Sequence, residues 1–203
     1  MIQLYWAPHT RAIRPRWLLE EMEIPYQLER LDLSKGEHKT PEYLRIHPLG
    51  SVPALVDGDV TMFESAAICS YLADKHPEKR MAPPLGTPAR ALYEQWLFFG
   101  MATFEEPLVK IFLHSAKLPE ADRSARAESE ARKRAGEVAQ VLEHAIRDRP
   151  FLLGPDFSAA DVIVGSLLAW GNFMGVLTGF DRLQEYVGRL AERPALVRAS
   201  ADG

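Results

Sequence analysis

Apolar and polar positions change their spacing several times along this chain, and each change predicts an element. Residues 2–6, IQLYW, are a short run of β-branched and aromatic side chains closed by Ala7-Pro8, and they predict a first strand. From Thr10 to Met22 the spacing turns helical, with Ile13, Trp17 and Leu18 recurring at helical steps. Thr10 offers a capping hydroxyl there, but Pro15 conflicts with so early a start. Either regular helix begins nearer Arg14 or its first turn is loose. PYQLERLDL (25–33) alternates and predicts a second strand. The polar segment KGEHKTPEYLRI (35–46) predicts a loop and then a short helix after Thr40-Pro41, where proline suits a first helical position.

The stretch from His47 to Ser65, HPLGSVPALVDGDVTMFES, carries three signals in a row. Pro53 opens an apolar run at a place where its missing N–H would break an interior ladder, so it marks a strand edge. Asp57-Gly58 predicts a tight hairpin turn between PALV and VTMF. Ser65 then opens AAICSYLADKH, whose Ile68 and Leu72, with Ala66, Cys69 and Ala73, form a helical stripe. A hairpin running straight into a helix start leaves free N–H groups and partial positive charge beside a hydroxyl. Such a place receives a carboxylate. Taken singly, each piece is also an ordinary structural feature. The Val52-Pro53 step adds an open backbone edge to which an extended peptide can pair. Together they point to a small, anionic, peptide-like ligand.

HPEKRMAPPLGTP (76–88) has four prolines and no periodicity, and after it the chain changes type. Residues 89–117 read as helical and strongly apolar. Glu120 to Arg147 carries Val138, Val141, Leu142, Ala145 and Ile146 along one side, the pattern of a long amphipathic helix. Ser158 and Asp161 have capping-box spacing before VIVGSLLAWG, a run apolar on nearly all sides and hence a buried helix. LQEYVGRLAERPAL predicts a last helix stopped at Pro194, and no strand is predicted after residue 89. The expected organisation is a small mixed α/β domain over 1–78, a linker over 79–88 and an all-helical domain over 89–203. Clefts between such domains are favoured places for small-molecule sites.

Composition narrows the chemistry. A net charge of -4 over 203 residues lacks the basic face that nucleic acid or an anionic membrane would require. Hydrophobic content of 47% with 26% charged residues fits a soluble globular chain, and no apolar run is long enough to span a bilayer. The one cysteine, Cys69, excludes an internal disulfide framework, and a cytoplasmic protein is expected. Its helical position makes it a small core residue rather than a nucleophile. The six histidines lack metal-ligand spacing, so no metal is expected. Nucleophile-elbow, phosphate-loop and CxxC motifs are absent from the sequence. Glu20-Glu21 and Glu105-Glu106 read as exposed helix positions rather than acid–base pairs.

LYWAPHTRAIRPRWLLEE, HPLGSVPAL, FESAAICSYL and FLLGPDFSAADV resemble the glutathione transferase family, over nearly the whole chain. The resemblance implies an α/β plus all-α protein, with a thioredoxin-like N-terminal domain and a helical C-terminal domain. It also implies a homodimer, glutathione as co-substrate, and detoxifying conjugation of its sulfur to hydrophobic electrophiles. By position, Val52 would pair its backbone with the cysteinyl part of glutathione and Pro53 would be the family's cis proline. Glu64 and Ser65 would hold the γ-glutamyl end. His38 and Lys39 lie in the loop that reaches the glycine carboxylate, with Ser51 nearby. His47 departs from the asparagine many members carry before Pro-Leu, and a structural role is expected for it.

The thiol of glutathione has a pKa of ~8.5 to 9, so lowering it by about two units takes roughly 2.7 kcal/mol. One charged hydrogen bond plus a helix dipole can supply that. Tyr5 aligns with the catalytic tyrosine of some classes and is equally placed to be a core aromatic. Thr10 supplies a hydroxyl where other classes place serine, displaced from the usual position near Ala7, and is equally a helix cap. Arg11 can help by its charge. A cysteine-type enzyme is excluded, because this loop has none. Trp6, Ala7 and Pro8, with Phe99, Met101, Phe104 and Phe112, are the expected lining of an electrophile pocket. A glutathione-dependent peroxidase or isomerase, or a glutathione-binding module without turnover, remain the alternative readings.

Overall fold

In the computed structural model, which describes residues 1–201, the strands fall where the alternation predicts them. They are β1 (Ile2–Trp6), β2 (Tyr26–Arg30), β3 (Ala54–Asp57) and β4 (Val60–Phe63), in the spatial order β2-β1-β3-β4. β1 and β2 are parallel, which requires a crossover, and α1 (Ile13–Met22) supplies it. β3 runs antiparallel to β1, with Tyr5 opposite Ala54. The β3–β4 loop is Gly58-Asp59, with Gly58 at φ 60°, one residue later than Asp57-Gly58. Asp57 itself closes the ladder opposite Val60. α2 (Pro41–Leu44) starts at Thr40, whose hydroxyl caps Tyr43, and α3 (Ser65–Lys75) follows the hairpin. Leu4 and Leu55 of the sheet and Trp17, Leu18, Ile68 and Leu72 of α1 and α3 are all fully buried. This is the thioredoxin-like arrangement the sequence implied.

The conflict between Thr10 and Pro15 resolves in favour of a late start. Ala12, not Thr10, is the cap residue of α1, and Pro15 is its third helical residue. The first-turn amides of a helix have no intrahelical partner, so the proline's missing N–H costs nothing there.

Two compact units emerge, residues 1–82 with 192–201, and residues 83–191. The C-terminus therefore differs from the expected helical domain running to 203. α8 (Asp181–Ala191) ends before Pro194, but that proline opens a further helix, α9 (Pro194–Ser200), which packs against α1. Arg193 grips Glu21 through two bonds of 2.6 and 2.7 Å, and Arg198 pairs with Glu20 at 2.8 Å. Proline at a first helical position stops the preceding helix and starts the next.

In the second unit, α4 (Pro88–Phe98) passes through π-helical residues 99–104 into α5 (Glu105–Phe112). α6 (Ala125–Ile146) is capped by Ser124 and presents Val138 and Leu142 to the core. α7 (Ala159–Phe173) is the buried helix. At its start Asp161 accepts four hydrogen bonds. The amides of Leu152 and Ser158 donate at 2.7 and 2.8 Å, and the hydroxyls of Ser158 and Tyr186 at 2.8 Å each.

Candidate functional site

The segment before β3 is tied down on almost every side. The Val52–Pro53 peptide bond is cis. Tyr43 donates its hydroxyl to the Ser51 carbonyl at 2.6 Å, and Lys39 spends two of its three donors on the carbonyls of Leu49 and Gly50, at 2.8 and 2.9 Å. Gly50 has φ 55°, and a Cβ there would stand 2.4 Å from the His38 carbonyl oxygen, so only glycine fits. His38 is half-buried, and its Nδ1 has no partner among the described residues. His47 is buried, stacks on Phe63 at 4.5 Å and accepts from the Leu49 amide at 3.3 Å. Burial pushes its pKa down, which keeps the ring a neutral acceptor. Among the described residues the backbone N–H and C=O of Val52 have no partner. A held loop thus presents one open backbone edge.

The start of α3 is open as well. Glu64, the residue before the helix, is exposed and sits at φ 74°, ψ 109°, and no side chain caps the amides. Such a backbone conformation in a residue other than glycine costs about 1–3 kcal/mol and tends to accompany function. The first helical bond runs from the Ile68 amide to the Glu64 carbonyl, so the amides of residues 65–67 have no acceptor within the helix. Ser65 is 2% exposed, and its Oγ accepts from Nη1 of Arg14 at 3.0 Å. Arg14 escaped the sequence reading. The signal was a charge inside the apolar stripe of α1, three and four residues before Trp17 and Leu18. One turn along α3, Cys69 is wholly buried, and burial drives its thiol far above the usual range, against the opposing charge of Arg14. That thiol is inert.

At the β1–α1 corner the candidates separate. Tyr5 is half-buried, with its ring 5.5 Å from that of Tyr43. Burial, and secondarily Glu29, raise its pKa, so its hydroxyl stays protonated and able to donate. Thr10 donates its single hydrogen to the Ala7 carbonyl at 2.6 Å and accepts from the Ala12 amide at 3.3 Å. His9 and Arg11 are exposed, His9 at φ 57°. Trp6 is a correction: its indole is buried with the Arg16 guanidinium 4.4 Å above it, so it belongs to the core and not to a pocket wall. Ala7 and Pro8 border a cavity of about 450 Å³ with Arg30, Leu31, Asp32, Leu33 and Glu37.

Within the second unit, Phe104 is fully buried and is likewise core, not lining. Phe99 meets Trp96 edge-on at 5.3 Å, Met101 is half-buried, and Phe112 stands 38% exposed beside Trp170. Among the described residues no group of three His, Cys, Asp or Glu side chains could hold a metal ion. No helix among them is long and apolar enough to cross a membrane.

Residues 1–74 match the family model for the glutathione S-transferase N-terminal domain, and residues 116–189 match that for the C-terminal domain. Glutathione S-transferase F10 of Arabidopsis thaliana is 35% identical over 80% of this chain and 77% of its own length. The disulfide-bond oxidoreductase YfcG of Escherichia coli is 31% identical over 98% of this chain and 94% of its own. A glutathione transferase family member from Pseudomonas fluorescens, solved with two glutathione molecules bound, superposes with a TM-score of 0.87 at 25% identity, covering 98% of this chain and 92% of that one.

Proposed function

The chain belongs to the glutathione S-transferase family, and from that premise we propose that it binds glutathione along the Val52–Pro53 edge and transfers its sulfur to hydrophobic electrophiles. One observation carries the reading: the open Val52 backbone and the uncapped start of α3, with Ser65 and Arg14, belong to one small structural unit. An extended cysteinyl residue pairs with Val52 as an added strand. The γ-glutamyl carboxylate then meets the amides of residues 65–67 and the Ser65 hydroxyl. Glu64 faces the γ-glutamyl ammonium. His38, the remaining Lys39 donor and Ser51 face the glycine end.

Chemistry falls to the β1–α1 corner. A hydrogen bond to the sulfur favours thiolate over thiol, and the thiolate then attacks the electrophilic carbon and displaces its leaving group. Tyr5 can donate without rearrangement, whereas Thr10 must first release the Ala7 carbonyl; the exposed Arg11 adds positive charge. Within the first unit, Ala7 and Pro8 supply apolar surface for the electrophile.

The test is calorimetric titration of glutathione together with chlorodinitrobenzene conjugation on the same sample. Saturable binding with turnover is expected, and the absence of glutathione binding overturns the reading. Ultraviolet titration of the bound thiolate in Tyr5→Phe and Thr10→Ala assigns the donor, since only loss of the true one raises the thiol pKa.

A second reading is supported by the nearly full-length match to a disulfide oxidoreductase and by burial of the one protein thiol. Two glutathione thiols would reduce a substrate disulfide, giving glutathione disulfide and two substrate thiols. Hydroxyethyl disulfide turnover in excess of conjugation favours it.

A further inference from the structure

Along α6 the arginines of the earlier turns are each matched to a glutamate of the same helix. Arg126 pairs with Glu130 and Arg132 with Glu128, both at 2.8 Å, and Arg134 with Glu137 at 3.2 Å. Where the helix ends, that matching stops. Arg147, Arg149, Arg182 and Arg189 line one cavity of about 440 Å³, wholly within the second unit. Among the described residues only Arg182 of the four has an ion pair, a loose one at 3.9 Å from Glu143. Asp148 and Glu185 line the cavity too, so four guanidiniums against two carboxylates leave a surplus of two positive charges. That surplus stands on a chain whose net charge is -4. Like charges gathered round a cavity repel, and an anion between them turns the repulsion into attraction.

The guanidiniums are also anchored. α6 ends on carbonyls that no further helical turn takes up. Arg147 donates to the His144 carbonyl at 3.2 Å and to Nε2 of the His144 ring at 2.6 Å, and Arg149 donates to the Ala145 carbonyl at 2.6 Å. From α8, Arg189 donates to the Pro150 carbonyl at 3.5 Å and stands 5.9 Å from the centre of the Tyr186 ring. A guanidinium has five N–H donors, so each of the four keeps most of its own for another acceptor. Planar forks of this kind match phosphate oxygens two at a time. One phosphate has too few faces to meet four forks around such a cavity, whereas two linked phosphates bring oxygens enough for all. We propose that this cavity is a binding site for the diphosphate group of a small molecule. Its volume is that of a small-molecule site, and Asp148 and Glu185 are acceptors for hydroxyls on whatever the diphosphate carries.

The test is calorimetric titration of the full chain at low ionic strength with orthophosphate, pyrophosphate and ADP. Pyrophosphate is expected to bind once per chain with a dissociation constant below about 1 mM, and orthophosphate at least about tenfold more weakly. ADP binding as tightly as pyrophosphate makes the ligand a diphosphate ester; pyrophosphate binding alone makes it the free anion. Arg182→Gln with Arg189→Gln removes two forks and leaves the bonds at the end of α6 intact. Pyrophosphate affinity should then fall by about tenfold or more. Arg126→Gln with Arg134→Gln removes the same charge from exposed positions elsewhere on α6 and should change it by less than about twofold. If the first variant melts early, Arg182→Lys with Arg189→Lys keeps the charge without the fork, and should lose about threefold or more. Glutathione affinity should match wild type in every variant, and a parallel loss overturns the cavity as a separate site. Absence of pyrophosphate binding overturns the proposal, as does orthophosphate binding equally well. Equal weakening by the two glutamine pairs also overturns it, leaving only the overall charge at work.

Discussion

Two helix starts in this chain are written in nearly the same letters and do opposite things. α3 opens at FESAAI and α7 at FSAADV, each with a serine among small residues. At α7 the capping box closes on itself, with Asp161 taking both the amide and the hydroxyl of Ser158 and tying in Leu152 and Tyr186. Both Asp161 oxygens and the Ser158 hydroxyl find partners inside the fold. At α3 no side chain caps the amides, the preceding residue is held at positive φ, and the serine hydroxyl accepts from the buried Arg14. Its anchor lies at the far end instead, where Lys75 and Tyr71 donate to Asp57. The closed start stabilises the second unit; the open one costs stability in the free protein, which a ligand bound there would restore.

Asp161→Ala should give the largest effect in this contrast. It strands buried amides and the Tyr186 hydroxyl, and unfolding by denaturant should show a loss of about 3–5 kcal/mol. Ser65→Ala should do the reverse in kind, with stability changed by less than about 1 kcal/mol and glutathione binding weakened by roughly 1–3 kcal/mol. Equal effects on stability from the two substitutions would erase the distinction. A sharper test turns α3 toward α7. Ala67, exposed at the third helical position, corresponds to Asp161, and Ala67→Glu puts a carboxylate beside the open amides. Thermal stability should rise by about 0.3–1 kcal/mol while glutathione binds more weakly, because protein and ligand now compete for one place.

The smallest effect concerns the far anchor of α3. The hydrogen bond from Lys75 holds the Asp57 carboxyl below the usual range, with Tyr71 assisting against burial. A depressed folded pKa contributes stability that is present above the unfolded value of about 3.9 and lost as pH falls through the folded one. Asp57→Asn should therefore lower stability slightly at pH 7, with the difference from wild type closing as the pH falls below about 4. An identical acid profile in the variant would remove this anchor from the picture.

Local periodicity carried much of the fold. The β-branched and aromatic run IQLYW, the Gly58 turn, the capping serines of α6 and α7 and the proline edge before β3 all act within about four residues. A chain read in order displays such interactions directly. Even the correction at Pro194 is local, since the same residue that ends one helix begins another.

What the amino-acid order did not display depends on which faces meet. Arg14 and Ser65 are 51 residues apart, and Arg193 finds Glu21 across 172, so no window of helical or strand spacing contains either pair. For Thr10, only the folded backbone shows that its hydrogen goes to the Ala7 carbonyl. Trp6 and Phe104 read as pocket walls until packing encloses them. Composition and period determined the elements and the chemistry available, because both are set by neighbours along the chain. Packing alone decided which donors were spent and which were left open, because a hydrogen bond is committed only once its partner arrives from elsewhere.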